Sequence, residues 1–128
     1  MDQISNFITQ LKNAGSAGHE DATISYSKLK EAIAGVLKKE GFIKDFETRT
    51  EKGKKILSVI LLSENRVPRI SGVERISKPS KRVYRKSSEL RPVRSGYGAL
   101  IVSTSAGVMT GKDAKKAKLG GEALFSIW

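Results

Sequence analysis

Apolar side chains recur at helical spacing twice within the first 40 residues. After that they come in short runs broken by Gly and Pro. That switch of period constrains the fold most: two helices, then mainly strands. Ile4, Phe7, Ile8 and Leu11 fall at i, i+3, i+4 and i+7, with Asp2 to cap the start and Asn13-Ala14-Gly15 to end the helix. Residues 23–26 read as a short strand. Ser27 then caps a second helix with apolar positions Leu29, Ala32, Ile33, Val36 and Leu37, stopped at Gly41. Residues 42–50 and 54–62 read as strands paired across Lys52-Gly53. Ile60-Leu61-Leu62 is apolar on both faces, so part of the second strand is buried. Ser63-Glu64-Asn65 marks a boundary.

Beyond that boundary, residues 73–77, 82–85, 99–103 and 122–128 are strand candidates. Pro79 and Pro92 punctuate them and cannot sit in a central ladder. Thr110-Gly111-Lys112-Asp113 has the capping-box pattern and opens a short basic helix to about Lys118; Gly120-Gly121 releases the chain into a last strand, which Trp128 packs. The expectation is an α+β fold of two small domains. Residues 1–65 would form an N-terminal α-β-α-β-β domain, and residues 66–128 a basic domain, mostly β with one short helix.

Composition narrows the function. The 128 residues carry 24 Lys+Arg against 13 Asp+Glu, a formal net charge of +11. There is no Cys, which excludes disulfides, thiol catalysis and Cys-ligated metals, and a lone His excludes multi-His metal sites. That residue, His19, sits in a polar loop beside Glu20 and Asp21 and reads as solvated. No apolar run approaches the roughly 18 residues of a membrane span, and Met1-Asp2-Gln3 opens no signal peptide. A soluble intracellular protein without membrane, metal or cofactor is expected. The charge is uneven: residues 66–94 hold 10 basic side chains, including Lys78, Lys81, Arg82 and Arg94, and only 2 acidic ones, Glu74 and Glu89. Val73, Ile76, Val83, Tyr84 and Val93 interleave them, which favours a folded basic surface over a disordered linker. The charge excess points to a polyanion, either nucleic acid or an acidic membrane surface, and a folded basic surface binds phosphate backbones. Tyr84 and Tyr97 could stack on bases or ribose.

The segment at residues 103–110, Ser-Thr-Ser-Ala-Gly-Val-Met-Thr, follows an apolar strand and precedes the short helix. Three consecutive hydroxyls can each donate or accept, and Gly107 permits positive φ and close approach. The segment suits sugar hydroxyls, phosphates or base edges; alternatively it is an ordinary strand–helix turn satisfying local backbone groups. No phosphate-loop pattern occurs.

At these residues the sequence resembles the bacterial-type small-subunit ribosomal protein S-eight family, over essentially the whole chain. Besides residues 103–110, the family's Gly-Gly-Glu stands at Gly120-Gly121-Glu122. Its Ser-Lys-Leu-Lys stands at Ser27-Lys28-Leu29-Lys30, and its Glu-Gly-Phe-Ile at Glu40-Gly41-Phe42-Ile43. Its Arg-Ile-Ser-Lys-Pro stands at residues 75–79, followed by Arg82-Val83-Tyr84. Two departures stand out. The family's Arg-Ile-Arg-Asn is here Gln10-Leu11-Lys12-Asn13, which loses one cation and exchanges another's planar fork for a point charge. Its Lys-Pro-Gly is here Lys78-Pro79-Ser80.

The resemblance implies a structural protein of the small ribosomal subunit that binds the central domain of small-subunit rRNA and aids its assembly. It also implies contacts with neighbouring ribosomal proteins and, in some members, with the protein's own messenger. The expected site is the subunit of a cytoplasmic ribosome, with an organellar one as the alternative. Carried onto matching positions, the RNA-binding residues are Ser103, Thr104, Ser105 and Gly107, then Glu122, then Tyr84 with Lys78, Lys81 and Arg82. In the first half they are Lys12, Asn13, Lys28 and Lys30. Two rivals come from other classes. A nuclease or other nucleic-acid-acting enzyme would need a carboxylate metal site or an acid–base pair, and Glu74, Glu89, Asp113 and Glu122 form no dense cluster in the sequence. The other rival is a general basic RNA- or DNA-binding protein; a DNA-binding one would show a helix-turn-helix pattern and a recognition helix rich in base-reading side chains, and none is visible.

Overall fold

A computed structural model describes residues 3–93 and 98–128. Asp2, Arg94 and Tyr97, named above as a cap, a basic residue and a stacking candidate, lie outside the described residues. The chain divides into two compact units, Gln3–Ser71 and Gly72–Trp128. It is α+β, as the change of period requires.

The first unit holds α1 (Gln3–Ser16), β1 (Asp21–Ser25), α2 (Lys28–Lys39), β2 (Ile43–Glu51), β3 (Lys54–Leu61), β4 (Ser63–Glu64) and β5 (Val67–Pro68). Ile4, Phe7, Ile8 and Leu11 form the buried stripe of α1. The helix does not stop at Gly15 but runs to Ser16. The residue that ends it is Gly18 (φ 79°), with His19 N–H bonding Ala14 O at 3.0 Å and Gly18 N–H bonding Gly15 O at 3.0 Å. This pair of bonds is the Schellman motif, and Gly41 (φ 78°) ends α2 the same way, with Phe42 N–H on Leu37 O. Ser27 caps α2, its Oγ accepting from Lys30 N–H at 3.1 Å.

The buried face of α2 is Lys30, Ile33, Ala34 and Leu37, whereas Leu29 and Ala32 are exposed. The helix is thus rotated by about one residue from the expected face, which puts a lysine inside. The cause lies at the edge of the antiparallel sheet, whose order is β1-β3-β2. Ala22 and Ile24 of β1 point their backbone groups at β3, so those of Thr23 and Ser25 point outward. Thr23 O accepts from Gln10 Nε2 at 3.3 Å, and Ser25 O accepts from Lys30 Nζ at 3.1 Å. Two helix side chains thereby occupy an edge that would otherwise invite another strand. β2 and β3 are joined by Lys52 (φ 51°) and Gly53 (φ 76°), the two left-handed positions of a tight hairpin. The expected boundary segment 63–65 instead begins a small hairpin, Ser63–Glu64 on Val67–Pro68, inside the first unit.

The second unit holds β6 (Val73–Arg75), β7 (Tyr84–Arg85), a 3-10 turn (Ser87–Glu89), β8 (Ala99–Thr104), β9 (Gly107–Thr110), α3 (Gly111–Lys116) and β10 (Gly121–Ile127). Its sheet order is β6-β10-β8-β9, and β7 also pairs with β10. β10 is therefore central, which explains its burial from Ala123 to Ile127. A bulge between Ala123 and Phe125 leaves Leu124 O to accept from Ile76 N–H, Ser77 N–H and the Arg75 guanidinium. Leu90, Val102 and Ala114 pack together with Leu100 and Met109, seating α3 on β8. The Trp128 ring lies against Gly72, where an added Cβ would come within 2.6 Å of it.

Candidate nucleic-acid interface

The segment 103–110 is neither a loop nor a strand–helix turn. It is a hairpin, β8 to β9, with Thr104 paired to Gly107. Gly107 takes φ 116° at the turn, the conformation its lack of Cβ allows. The Thr104 hydroxyl donates to Gly107 O at 2.8 Å and accepts from Ala106 N–H at 3.1 Å, so it holds the turn closed. Ser105, at the tip, is exposed and Ser103 half-buried. Of the three hydroxyls, Thr104's serves the fold and those of Ser103 and Ser105 are open to a ligand. Thr110 closes the hairpin by capping α3, its Oγ1 accepting from Asp113 N–H at 3.1 Å.

The ladder then brings distant residues into one row. Glu122 sits opposite Ser103 on one side and opposite Tyr84 on the other. Residues opposite each other across an antiparallel pair share a face, so Tyr84, Glu122 and Ser103 stand side by side. Tyr84 is 68% exposed and Glu122 lies low between its neighbours, its side chain 16% exposed. Gly121 lets this row form: an added Cβ there would come within 2.2 Å of Ser103 O.

Beside the row stands the basic turn. Lys78 and Lys81 bond each other through both backbone pairs, at 2.9 and 3.0 Å, with Pro79 and Ser80 between them. Pro79 fixes negative φ, and Ser80 is not among the positive-φ residues. The turn is therefore the type that needs no glycine, and Ser80 fits where the family has Gly. Lys78, Lys81 and Arg82 are all exposed. Arg82 Nη1 donates to Glu122 Oε2 at 3.1 Å.

The residue that ties turn and row together is one the sequence reading missed. Ser77 is fully buried. Its hydroxyl donates to Glu122 Oε2 and accepts from Val83 N–H at 3.1 Å. Nothing in the pattern around Ile76-Ser77-Lys78 marks it, because its partners lie 6 and 45 residues away. Burial alone would raise the Glu122 carboxyl. The hydrogen bonds from Ser77 and Arg82, and the charges of Arg82 and Arg75, outweigh it and hold the carboxyl below the usual glutamate range. Glu122 is thus ionised, with Oε2 anchored inside the protein and Oε1 unbonded among the described residues.

The first unit carries its own set. Lys28 and Asn13 are exposed and Lys12 is half-buried. Asn13 belongs to the neutral polar stripe of α1 with Ser5, Asn6, Thr9 and Gln10, which lines a shallow groove. Gln10, where the family has Arg, serves β1 instead of projecting a charge. Lys30 is the clear exception to the expected surface. It is 6% exposed, its Nζ bonds Ser25 O and Ser25 Oγ at 3.1 and 3.0 Å, and burial lowers its pKa. A cation held this way serves the fold, its ammonium bonded inside the protein.

Among the described residues no three His, Asp or Glu side chains gather to hold a metal, and no helix is long and apolar enough to cross a membrane. The geometry is a hydrogen-bonding row flanked by exposed cations.

The family model for ribosomal protein S8 matches residues 2–128. A protein of Bdellovibrio bacteriovorus named small ribosomal subunit protein uS8 is 43% identical over 129 residues, covering 100% of both chains. Proteins of the same name from an Arthrobacter species and from Cutibacterium acnes are 45% and 43% identical, each covering 99% of this chain and 97% of its own. The chain belongs to the ribosomal protein S8 family.

Proposed function

We infer that this chain is a structural protein of the small ribosomal subunit and that it binds ribosomal RNA through the second unit's row and turn. It is a ribosomal protein and not an enzyme, as its family and its uS8-named relatives are. The observation that carries the RNA-binding reading is the juxtaposition of the Tyr84–Glu122–Ser103 row with the exposed Lys78–Arg82 turn. The two parts divide the work. Lys78, Lys81 and Arg82 meet phosphates, which fixes register and carries little sequence information. Ser103, Ser105 and the free oxygen of Glu122 address donors and acceptors on sugar and base, including the 2′-hydroxyl that separates RNA from DNA. Tyr84 offers an exposed ring for stacking. Thr104 and Gly107 shape the hairpin that presents Ser105. Lys12, Asn13 and Lys28 make a second set of contacts, with Lys30 supporting them from inside.

The RNA is the central domain of the small-subunit rRNA, with neighbouring ribosomal proteins as further partners. The protein's own messenger is a second RNA ligand, and the site of action is the cytoplasmic ribosome. The test is binding to an in vitro transcript of that domain, a random RNA of equal length and a DNA duplex, over a range of salt. Steep salt dependence for all three and a preference for the transcript are expected. A flat salt response, or equal affinity for transcript and random RNA, overturns the reading.

A further inference from the structure

We propose that α3 and the chain just after it form a further phosphate-contacting patch, made by Lys112, Lys115, Lys116 and Lys118 with Arg85 and Lys86 beside them. The proposal rests on the RNA-binding reading above and adds a site to it. All six side chains are exposed. The four lysines form no ion pair or hydrogen bond through their ammonium groups among the described residues, and Glu89, the acid closest in sequence to Lys86, accepts that residue's backbone N–H at 2.8 Å. The pieces lie together. α3 packs on the Ser87–Glu89 turn, and Gly120 lies so close to the backbone of Arg85 and Lys86 that an added Cβ would come within 2.6 and 3.1 Å of it. The patch therefore flanks the strand pair that carries Tyr84 and Glu122.

Two local costs point to a ligand. The first is conformational. Lys118 N–H bonds Lys115 O at 3.1 Å and Leu119 N–H bonds Ala114 O at 2.9 Å, the same Schellman closure that Gly18 and Gly41 make for α1 and α2. Here the left-handed position, φ 58°, is held by a lysine, where glycine would be free of strain. The second is electrostatic. Lys112, Lys115 and Lys116 stand at i, i+3 and i+4 on the outer face of a 6-residue helix whose buried positions are Gly111 and Ala114. Like charges at that spacing repel, and Lys112 lies in the first turn, where the helix dipole disfavours a cation; Asp113, at i+3 from Lys116, and the last-turn positions of Lys115 and Lys116 offset only part of this. The electrostatic cost is relieved when the cations meet a polyanion; the backbone strain persists in either state and marks a position that holds a cation where glycine would be free of strain.

The test sets stability against binding. Lys118→Gly removes the strain and one charge. Its melting temperature should rise by roughly 2–5 °C, while the slope of log affinity against log salt for the rRNA transcript becomes shallower by about 0.7–0.9. Replacing Lys112, Lys115 and Lys116 together by Gln, which keeps most of each stem, should make the slope shallower by about 2 to 3. Affinity for transcript and for random RNA should fall by similar factors, because the contacts are to phosphate. A steep slope in the unaltered protein that both variants share unchanged overturns the patch and leaves the row and turn standing. A flat slope in the unaltered protein overturns the RNA-binding reading itself.

Discussion

Replacing Ser77 by Ala deletes one buried oxygen and two hydrogen bonds at once. The hydroxyl donates to a carboxylate, Glu122 Oε2, and accepts from Val83 N–H at 3.1 Å. A hydrogen bond to a charged partner contributes about 1.5–3 kcal/mol, and a buried N–H left without an acceptor costs about 1–3 kcal/mol. Glu122 keeps its exposed partner Arg82, so the lower half of each range applies, and the sum is about 3 kcal/mol. For a chain of this size that lowers the melting temperature by roughly 10 °C. Calorimetry gives the shift, and chemical denaturation of Ser77→Ala, Glu122→Gln and the double variant gives the coupling. Contact within one network should make the two changes non-additive by about 1–2 kcal/mol. A loss for Ser77→Ala below about 1 kcal/mol, or additivity within about 0.5 kcal/mol, refutes the anchoring of Glu122 through Ser77.

Other expectations follow from the same structure. Glu122 titrates below its ordinary value of 4.5 in the fold, so its contribution is present above about pH 4.5 and is lost as pH falls through the lower folded value. Denaturation between pH 5 and 2 should show that loss, and Glu122→Gln should remove it. Gly121→Ala drives a Cβ toward Ser103 O and should cost more than about 3 kcal/mol by denaturation, whereas Gly41→Ala, strained in φ but sterically open, should cost about 1 kcal/mol. Ser105→Ala should leave the melting temperature within a degree or two yet weaken the transcript by about 1–2 kcal/mol with random RNA unaffected; Thr104→Val should lower stability first, because its hydroxyl closes the turn. Lys28→Met should make the salt slope shallower by about 0.7–0.9, and Lys30→Met should cost stability while leaving the slope unchanged.

The fold was legible where periodicity is local. Ile4, Phe7, Ile8 and Leu11 announce α1, and Lys52-Gly53 announces its hairpin, because each signal needs only neighbours in sequence. Some misplacements are local and others have a partner distant in the chain. Gly15 reads as a stop, yet α1 runs to Ser16 and Gly18 ends it. The pattern alone makes Leu29 core and Lys30 surface, the reverse of what is found, because the hydrophobic pattern of α2 cannot register that β1 has an outward carbonyl at Ser25 in need of a donor. The hairpin within 103–110 was hidden because a two-residue turn at Ser105-Ala106 lacks the Asn-Gly or Asp-Gly signal that marks most such turns.

The candidate site shows the same division, with a functional consequence. Its residue types were visible as three hydroxyls, a glycine pair and a basic stretch, but their arrangement was not. Tyr84, Ser103 and Glu122 become a row only through strand register, and register depends on the bulge at Leu124 and on Gly121 having no side chain. Glu122 is then the decisive residue. A carboxylate facing an RNA backbone repels it, so an acid in a basic surface needs an internal reason as well as an external one. Ser77 and Arg82 supply the internal reason by fixing Oε2, which orients the carboxyl plane. The remaining oxygen is left as an acceptor of defined direction, suited to an amino or hydroxyl donor and unsuited to phosphate. In this arrangement the one acid in the row opposes the nonspecific attraction of the surrounding lysines. Glu122→Gln should therefore tighten random RNA and lower the ratio of transcript to random affinity. A variant that loosens both RNAs equally would show that Glu122 acts only through the fold.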